Sequence, residues 1–286
     1  MKNYLKLARV HHYIKNFFIF LPIFFSMNLF NNCMLISAVQ GFLAFSFMTS
    51  VVYIINDLVD IEKDRLHPKK KERPLASGKV STKCAIIFAV ALFLASALLC
   101  ICSCSGKFYS IAFPALYFAL NIFYCFGGKN IPIVDIAVLA SGFLIRLLYG
   151  SSITGVEISS WLYLTVLSLS FYLGLGKRRN EIKLGKETRA VLKFYTYEYL
   201  DKMMYMFMGM GMIFYSLWCV ADSTVLRFSN HMIWTVPIVM LIFMRYSLVV
   251  EGDSYGDPVD VILGDKILLS LSGVYAVLLL VLMYIV

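Results

Sequence analysis

The sequence predicts an all-α integral membrane protein, a single catalytic domain over 1–286 built on nine membrane-crossing helices. Three observations carry this. Apolar residues make up 60% of the 286 and charged residues only 15%, with a mean hydropathy of +0.78, more hydrophobic surface than one soluble core can bury. The apolar residues fall into nine runs, at 13–31, 35–56, 83–103, 108–126, 132–153, 159–176, 203–222, 231–250 and 266–286. At about 1.5 Å per residue, each can cross a hydrocarbon core of about 30 Å. Finally, the basic residues between the runs alternate: Lys2, Lys6, Arg9 and Lys15 open the first, eight Lys/Arg lie from Lys63 to Lys83, and eight more from Lys177 to Lys202. Lys129, Arg245 and Lys266 share their side, and only Lys107 and Arg227 lie in the opposite loops. By the positive-inside rule the N-terminus is cytoplasmic and an odd count places the C-terminus outside, in a cell membrane.

The runs differ in what they carry. The first follows a charged stretch, spans about nineteen residues and has no small-residue cleavage site before the second, so it reads as a retained helix. The second ends in a row of acids. The third holds Cys100, Cys102 and Cys104, which lack a neighbouring histidine to complete a zinc set and read as small apolar packing residues. The fifth opens at Asp135 and holds Arg146 about fourteen residues in, a depth at which a charge costs several kcal/mol and faces a cavity or a counter-ion. An internal pair between Arg146 and Asp135 or another buried acid accounts for that equally well. The sixth ends at Gly176-Lys177-Arg178, and the methionines of the seventh, Met203 to Met212, read as helix packing. The long loops, 57–82, 177–202 and 251–265, all fall on the basic side, where chemistry is expected.

The first of these loops is the most informative. Asn56, Asp60 and Asp64 recur every four residues, so on a helix their oxygens line one face and can converge on a hard divalent cation. Such a carboxylate row repels itself unless a cation sits in it, and magnesium favours one or two carboxylates completed by phosphate oxygens and water. Arg65, Lys69, Lys70, Lys71 and Arg73 follow at once and can neutralise those phosphates. A solvated salt-bridge network is the bland alternative. The scattered Lys183, Lys186 and Lys193 need no more than topology and anionic lipid to explain them.

The pattern Asn56-Asp57-x-x-Asp60-x-x-x-Asp64 on the second helix resembles the first aspartate-rich motif of the UbiA superfamily of intramembrane prenyltransferases, which implies a magnesium-diphosphate site. Within it, the chain is most similar to the decaprenyl-phosphate phosphoribosyltransferase family. The stretches that carry this are His12-Tyr13-Ile14-Lys15-Asn16, Asn56 through Pro74, Pro132 through Ala137 with Gly142 through Arg146, Gly176-Lys177-Arg178, and Arg245-Tyr246 with Gly256-Asp257-Pro258-Val259-Asp260. The resemblance implies transfer of 5-phosphoribose from phosphoribosyl diphosphate to a polyprenyl phosphate, with diphosphate released. Where aromatic prenyltransferases of the superfamily carry a second aspartate-rich motif, this chain has Gly176-Lys177-Arg178-Arg179-Asn180-Glu181, three cations and one carboxylate, which suits the extra phosphate of such a donor.

The site expected from all this has Asn56, Asp60 and Asp64 on magnesium, with Asp57, Asp60 and Asp64 catalytic. Lys69, Arg73, Lys177, Arg178 and Glu181 would meet phosphoribosyl diphosphate, and Lys15 and Arg146 the lipid phosphate. Asp57 or Glu181 would also stabilise positive charge on the sugar. A phosphate monoester is already ionised near neutral pH, so no general base is needed. Nothing points to a nucleic-acid partner, and a homo-oligomer is left open. Two other readings share some of these features: a UbiA-type enzyme moving a prenyl group to an aromatic or other small acceptor, and a polyprenyl-phosphate transporter or lipid-binding protein, which would need no metal face.

Overall fold

The computed structural model describes residues 2–67, 70–103, 108–183, 190–252 and 258–285, and among these there is no strand. Thirteen α-helices follow in order: α1 (Lys2–Ala8), α2 (Leu21–Phe25), α3 (Asn32–Val59), α4 (Ile61–Leu66), α5 (Thr82–Ser103), α6 (Ala112–Cys125), α7 (Val134–Thr154), α8 (Ser160–Lys183), α9 (Tyr197–Val220), α10 (Asp222–Phe228), α11 (Val236–Glu251), α12 (Pro258–Gly264) and α13 (Lys266–Tyr284). Seven stretches of the described residues are long and apolar enough to cross a membrane: Asn32–Val59, Thr82–Cys102, Phe108–Cys125, Val134–Thr154, Tyr197–Val220, Asp222–Glu251 and Lys266–Tyr284. The chain is an integral membrane protein.

The two remaining expected spans depart for identifiable reasons. Residues Val10–Phe20 form a 3-10 helix that passes into α2 at Pro22 and ends near Met27, whose φ is 60°. At about 2.0 Å per residue a 3-10 segment reaches further than an α-helix, so this shorter element still extends roughly 30 Å with α2 added. Helix α8 is long enough, but its serines, glycines and charged end dilute its hydropathy. Boundaries elsewhere lie within a few residues of expectation, except at α9 and α11.

The chain divides into two compact units, one of residues 1–128 and 145–157 and the other of 129–144 and 158–286, with the division falling inside α7. In the first, α3 is the central helix and packs through small residues: Ser37, Ala38, Gly41, Ala44, Ser46 and Ser50 are buried. This is how helices approach closely where lipid supplies no hydrophobic drive. A Cβ on Gly41 would lie 2.3 Å from Ile153 Cδ1, and one on Gly150 would lie 2.2 Å from the Ile19 carbonyl oxygen. Leu75 and Val80, in the loop after α4, pack with Leu7, Ile54 and Ala85, so much of this loop is anchored by apolar burial.

The second unit is cored by Ile136, Tyr172, Leu200, Met204, Val250 and Leu268. A buried hydroxyl pair at that core, Tyr172 with Ser247 at 2.7 Å, satisfies both groups across α8 and α11. Asp265 caps α13 by accepting from Leu268 N at 2.7 Å and is gripped in two places by Arg245 of α11.

Candidate active site

Helix α3 ends at Val59, and Asp60 sits in a bend at φ −97°, ψ 11° before α4. The bend does not break the helical ladder. Asp60 N donates to Asn56 O at 3.0 Å and Asp64 N to Asp60 O at 2.8 Å, so the four-residue spacing is carried through and Asn56, Asp60 and Asp64 keep one face.

The side chains around that face are firmly held. Asn56 Oδ1 accepts from Cys125 Sγ at 3.5 Å, which orients the amide. Asp64 is buried and its Oδ2 accepts from Arg73 Nη1 at 2.5 Å. Asp57, expected to face the reaction, is instead 3% exposed and turned into two arginines: its Oδ1 accepts from Arg9 Nη2 at 2.5 Å and from Arg73 Nη1 at 3.2 Å. Arg73 therefore bridges two acids of the motif and offsets their mutual repulsion. Lys69 lies outside the described residues, as do Lys186, Gly256 and Asp257.

Arg9 is the functional candidate that sequence reasoning left among the topology-setting lysines and arginines. It occupies the left-handed region at φ 51°, ψ 47°, between α1 and the 3-10 helix, which costs a non-glycine residue about 1–2 kcal/mol. The bend is held by Ser50 Oγ donating to Ala8 O at 2.8 Å and by the Arg9 guanidinium lying 4.6 Å from the Tyr53 ring centroid. No local sequence signal marks it.

Arg146 is buried in the first unit. It donates to Asn16 Oδ1 at 2.6 Å and Tyr117 OH at 3.3 Å, with the rings of Phe45 and Tyr117 at 4.8 and 4.9 Å, while Asn16 Nδ2 donates to Ser46 Oγ at 2.8 Å. Its guanidinium thereby fixes Asn16, the neighbour of half-buried Lys15, so the two residues expected at the lipid phosphate, Lys15 and Arg146, are linked through Asn16. The expected alternative of a pair with Asp135 gives way. The two residues are eleven apart on one helix, roughly 16 Å along its axis.

In the second unit Asp135 belongs to Arg178. Arg178 is 0% exposed, donating from Nε to Asp135 Oδ2 at 2.5 Å and from Nη1 to Glu181 Oε2 at 2.8 Å. Tyr195 OH donates to Asp135 Oδ1 at 2.7 Å and accepts from Ile133 N at 2.5 Å, where Ile133 is held at φ 68°. Burial and the Asp135 carboxylate push the Tyr195 phenol well above its ordinary range. Arg179 pairs with Asp201 at 2.8 Å and with Glu251, and lies 4.6 Å from the Tyr197 ring centroid.

The expectation of three cations facing one carboxylate is therefore corrected. Acids distant in sequence, Asp135, Asp201 and Glu251, fold onto Arg178 and Arg179, and Arg178 is fully buried among them. Glu181 is engaged by Arg178. Lys177 is half-buried on the same helix.

Asn56, Asp60 and Asp64 offer an amide oxygen and two carboxylates, hard oxygen donors of the kind magnesium takes. Among the described residues no group of three or more His, Cys, Asp or Glu is gathered closely enough to hold a metal ion by itself. A three-residue set of this kind needs phosphate oxygens and water to finish an octahedron, the mode magnesium adopts on a phosphorylated substrate.

A model of the UbiA prenyltransferase family matches residues 18–254. The chain is 34% identical to decaprenyl-phosphate phosphoribosyltransferase of Corynebacterium glutamicum over 257 residues, covering 87% of this chain and 77% of that protein. It is 32% identical to decaprenyl-phosphate phosphoribosyltransferase of Mycobacterium tuberculosis over 241 residues, 82% of this chain and 77% of the relative. Among solved structures, a UbiA homologue from Archaeoglobus fulgidus bound to GPP and Mg2+ superimposes with a TM-score of 0.71 at 19% identity, covering 99% of this chain and all of that one. The last comparison shows the fold alone.

Proposed function

The chain belongs to the UbiA prenyltransferase family, and we propose that within it this protein transfers 5-phosphoribose from 5-phosphoribosyl 1-diphosphate to a polyprenyl phosphate of the decaprenyl type, releasing diphosphate. The observation that carries this reading is the similarity to decaprenyl-phosphate phosphoribosyltransferases along most of the chain.

In the reaction an oxygen of the lipid phosphate forms a bond to the anomeric carbon of the ribose as the bond from that carbon to the diphosphate oxygen breaks. Asn56, Asp60 and Asp64 are the residues that would hold magnesium, whose Lewis acidity, when it is bound, stabilises the leaving diphosphate. Arg73 sits beside them, already in contact with Asp64 and Asp57, and supplies N–H donors for phosphate oxygens. Lys69 and Lys177 are proposed as further phosphate contacts on the donor. Lys15 is proposed as the contact of the lipid phosphate, its segment fixed by the hydrogen bond from Arg146 to Asn16. Glu181, tied to Arg178, is proposed to lie near the ribose. The electrostatic demand is met by pre-placed groups and involves no proton transfer.

Nine crossings, a cytoplasmic N-terminus with the basic loops on the same face, an external C-terminus and a plasma-membrane location complete the proposal, supported by the distribution of Lys and Arg. The test is a choice of substrates. Purified protein with magnesium should consume phosphoribosyl diphosphate and polyprenyl phosphate. Prenylation of an aromatic acid from a prenyl diphosphate, with no transfer to polyprenyl phosphate, would overturn the reading.

A further inference from the structure

Asp57 is one residue past Asn56 on α3, so it projects about 100° around the helix from that amide, on the side of Asp64, with which it shares Arg73. What it faces is cationic. One buried oxygen, Asp57 Oδ1, receives Arg9 from the start of the chain and Arg73 from the loop after α4. Each contact uses a single terminal nitrogen, Nη2 of Arg9 and Nη1 of Arg73, and both side chains remain partly accessible, at 17% and 26%. A guanidinium gripped at one nitrogen keeps the rest of its planar fork for a second anion, and that fork matches paired phosphate oxygens.

The backbone at Arg9 adds an independent observation. A residue kept in the left-handed region persists only where its surroundings over-determine it, and such strain gathers at functional sites. Here Tyr53 stacks beneath the guanidinium, Ser50 ties down the carbonyl of Ala8, and Tyr13 OH meets Ser50 Oγ at 2.7 Å. Three residues of α3, Ser50, Tyr53 and Asp57, thereby aim one arginine. Maintaining orientation would require only a charge near the membrane surface, which Lys2 and Lys6 already provide without such anchoring.

We propose that Arg9 is a direct ligand of the donor's diphosphate, and that Asp57 is the positioning residue that aims Arg9 and Arg73 at it instead of serving the metal. This rests on the reading of the Asn56–Asp64 face as a diphosphate site, and it divides the motif's acids between two tasks. Asp60 and Asp64 are assigned to the cation, Asp64 keeping its contact with Arg73. Asp57, which holds Arg9 as well as Arg73, is assigned to the arginines.

The test uses the full chain in detergent, with inorganic diphosphate and magnesium as the probe in calorimetric titrations and a magnesium titration of transfer alongside. Arg9→Gln should weaken diphosphate binding about tenfold or more, the loss expected for a charge-assisted contact, with the half-saturating magnesium concentration within about twofold of the parent. Arg9→Lys should recover part of the affinity. Asp57→Asn should weaken diphosphate and raise the donor KM more than it lowers kcat, and combining it with Arg9→Gln should add little, because both remove the same contact. Asp60→Asn, in contrast, should raise the magnesium requirement at least about tenfold. Unchanged diphosphate affinity in Arg9→Gln would overturn the proposal. So would a magnesium shift in Asp57→Asn equal to that of Asp60→Asn, or effects of the Asp57 and Arg9 variants that multiply. If Asp57→Asn does not fold, as a melting curve would reveal, the Arg9→Gln and Arg9→Lys pair decides. Diphosphate is the leaving group of either candidate donor, so a failure of the phosphoribosyl reading would appear in the substrate-choice assay and leave this result standing.

Discussion

Asp60 and Asp64 share a face but not an environment, and their substitutions should part accordingly. Asp60 is only half-buried at the bend, so Asp60→Ala should abolish transfer with little change in the melting temperature. Asp64 is buried against Arg73, so Asp64→Ala should abolish transfer and also cost about 1–2 kcal/mol, less than a fully buried pair because Arg73 is partly solvated and keeps Asp57. Thermal unfolding beside the transfer assay separates the two, and near-normal turnover of either variant at limiting magnesium would sink the metal-face assignment. The neighbours Lys177 and Arg178 should split in the same way. Lys177→Ala should raise the donor KM with stability intact. Arg178→Ala would strand buried Asp135 and should destabilise by about 3–5 kcal/mol, visible as a lower melting temperature before any kinetic effect is measured. The motif acids were legible because their spacing is local and close to the helical repeat. The partners of Arg178 and Arg179 were not, since Asp135, Asp201 and Glu251 arrive from other helices and no pattern in the sequence connects them.

Long apolar runs made most helices readable, because a helix in lipid must satisfy its own backbone and needs little beyond length and hydropathy. Elements shaped by packing were less readable. The 3-10 geometry of Val10–Phe20 and the bend at Asp60 depend on contacts with α3 and on the loop after α4, which leave no periodic trace. Close approach of this 3-10 helix to α7 offers a check at this scale. A methyl group on Gly150 would meet the Ile19 carbonyl oxygen at 2.2 Å, where backbone must move, whereas one on Gly41 meets the movable end of Ile153 at 2.3 Å. Gly150→Ala should therefore destabilise by about 1–3 kcal/mol and more than Gly41→Ala, as read from unfolding in detergent. Equal stability of the two would mean that the 3-10 helix is not pinned there.

For the molecule as a whole, hydropathy revealed the class and basic loops suggested the sidedness, but the two compact units, with their division inside α7, had no sequence signature. Nothing in composition marks where one helix passes from one cluster of neighbours to another. Sidedness is open to direct test, because a donor carrying several charges does not cross hydrocarbon unaided. Sealed vesicles exposing the basic face should consume added phosphoribosyl diphosphate, while vesicles of opposite orientation should do so only once opened. The reverse pattern would invert the proposed topology. The central claim, that 5-phosphoribose moves and diphosphate leaves, is tested most directly by placing the label. The purified protein, magnesium and polyprenyl phosphate are given phosphoribosyl diphosphate labelled either in its 5-phosphate or in its terminal diphosphate phosphorus. The account expects the first label in the lipid and the second in free diphosphate, whereas terminal label in the lipid, or no label there from either donor, would contradict it.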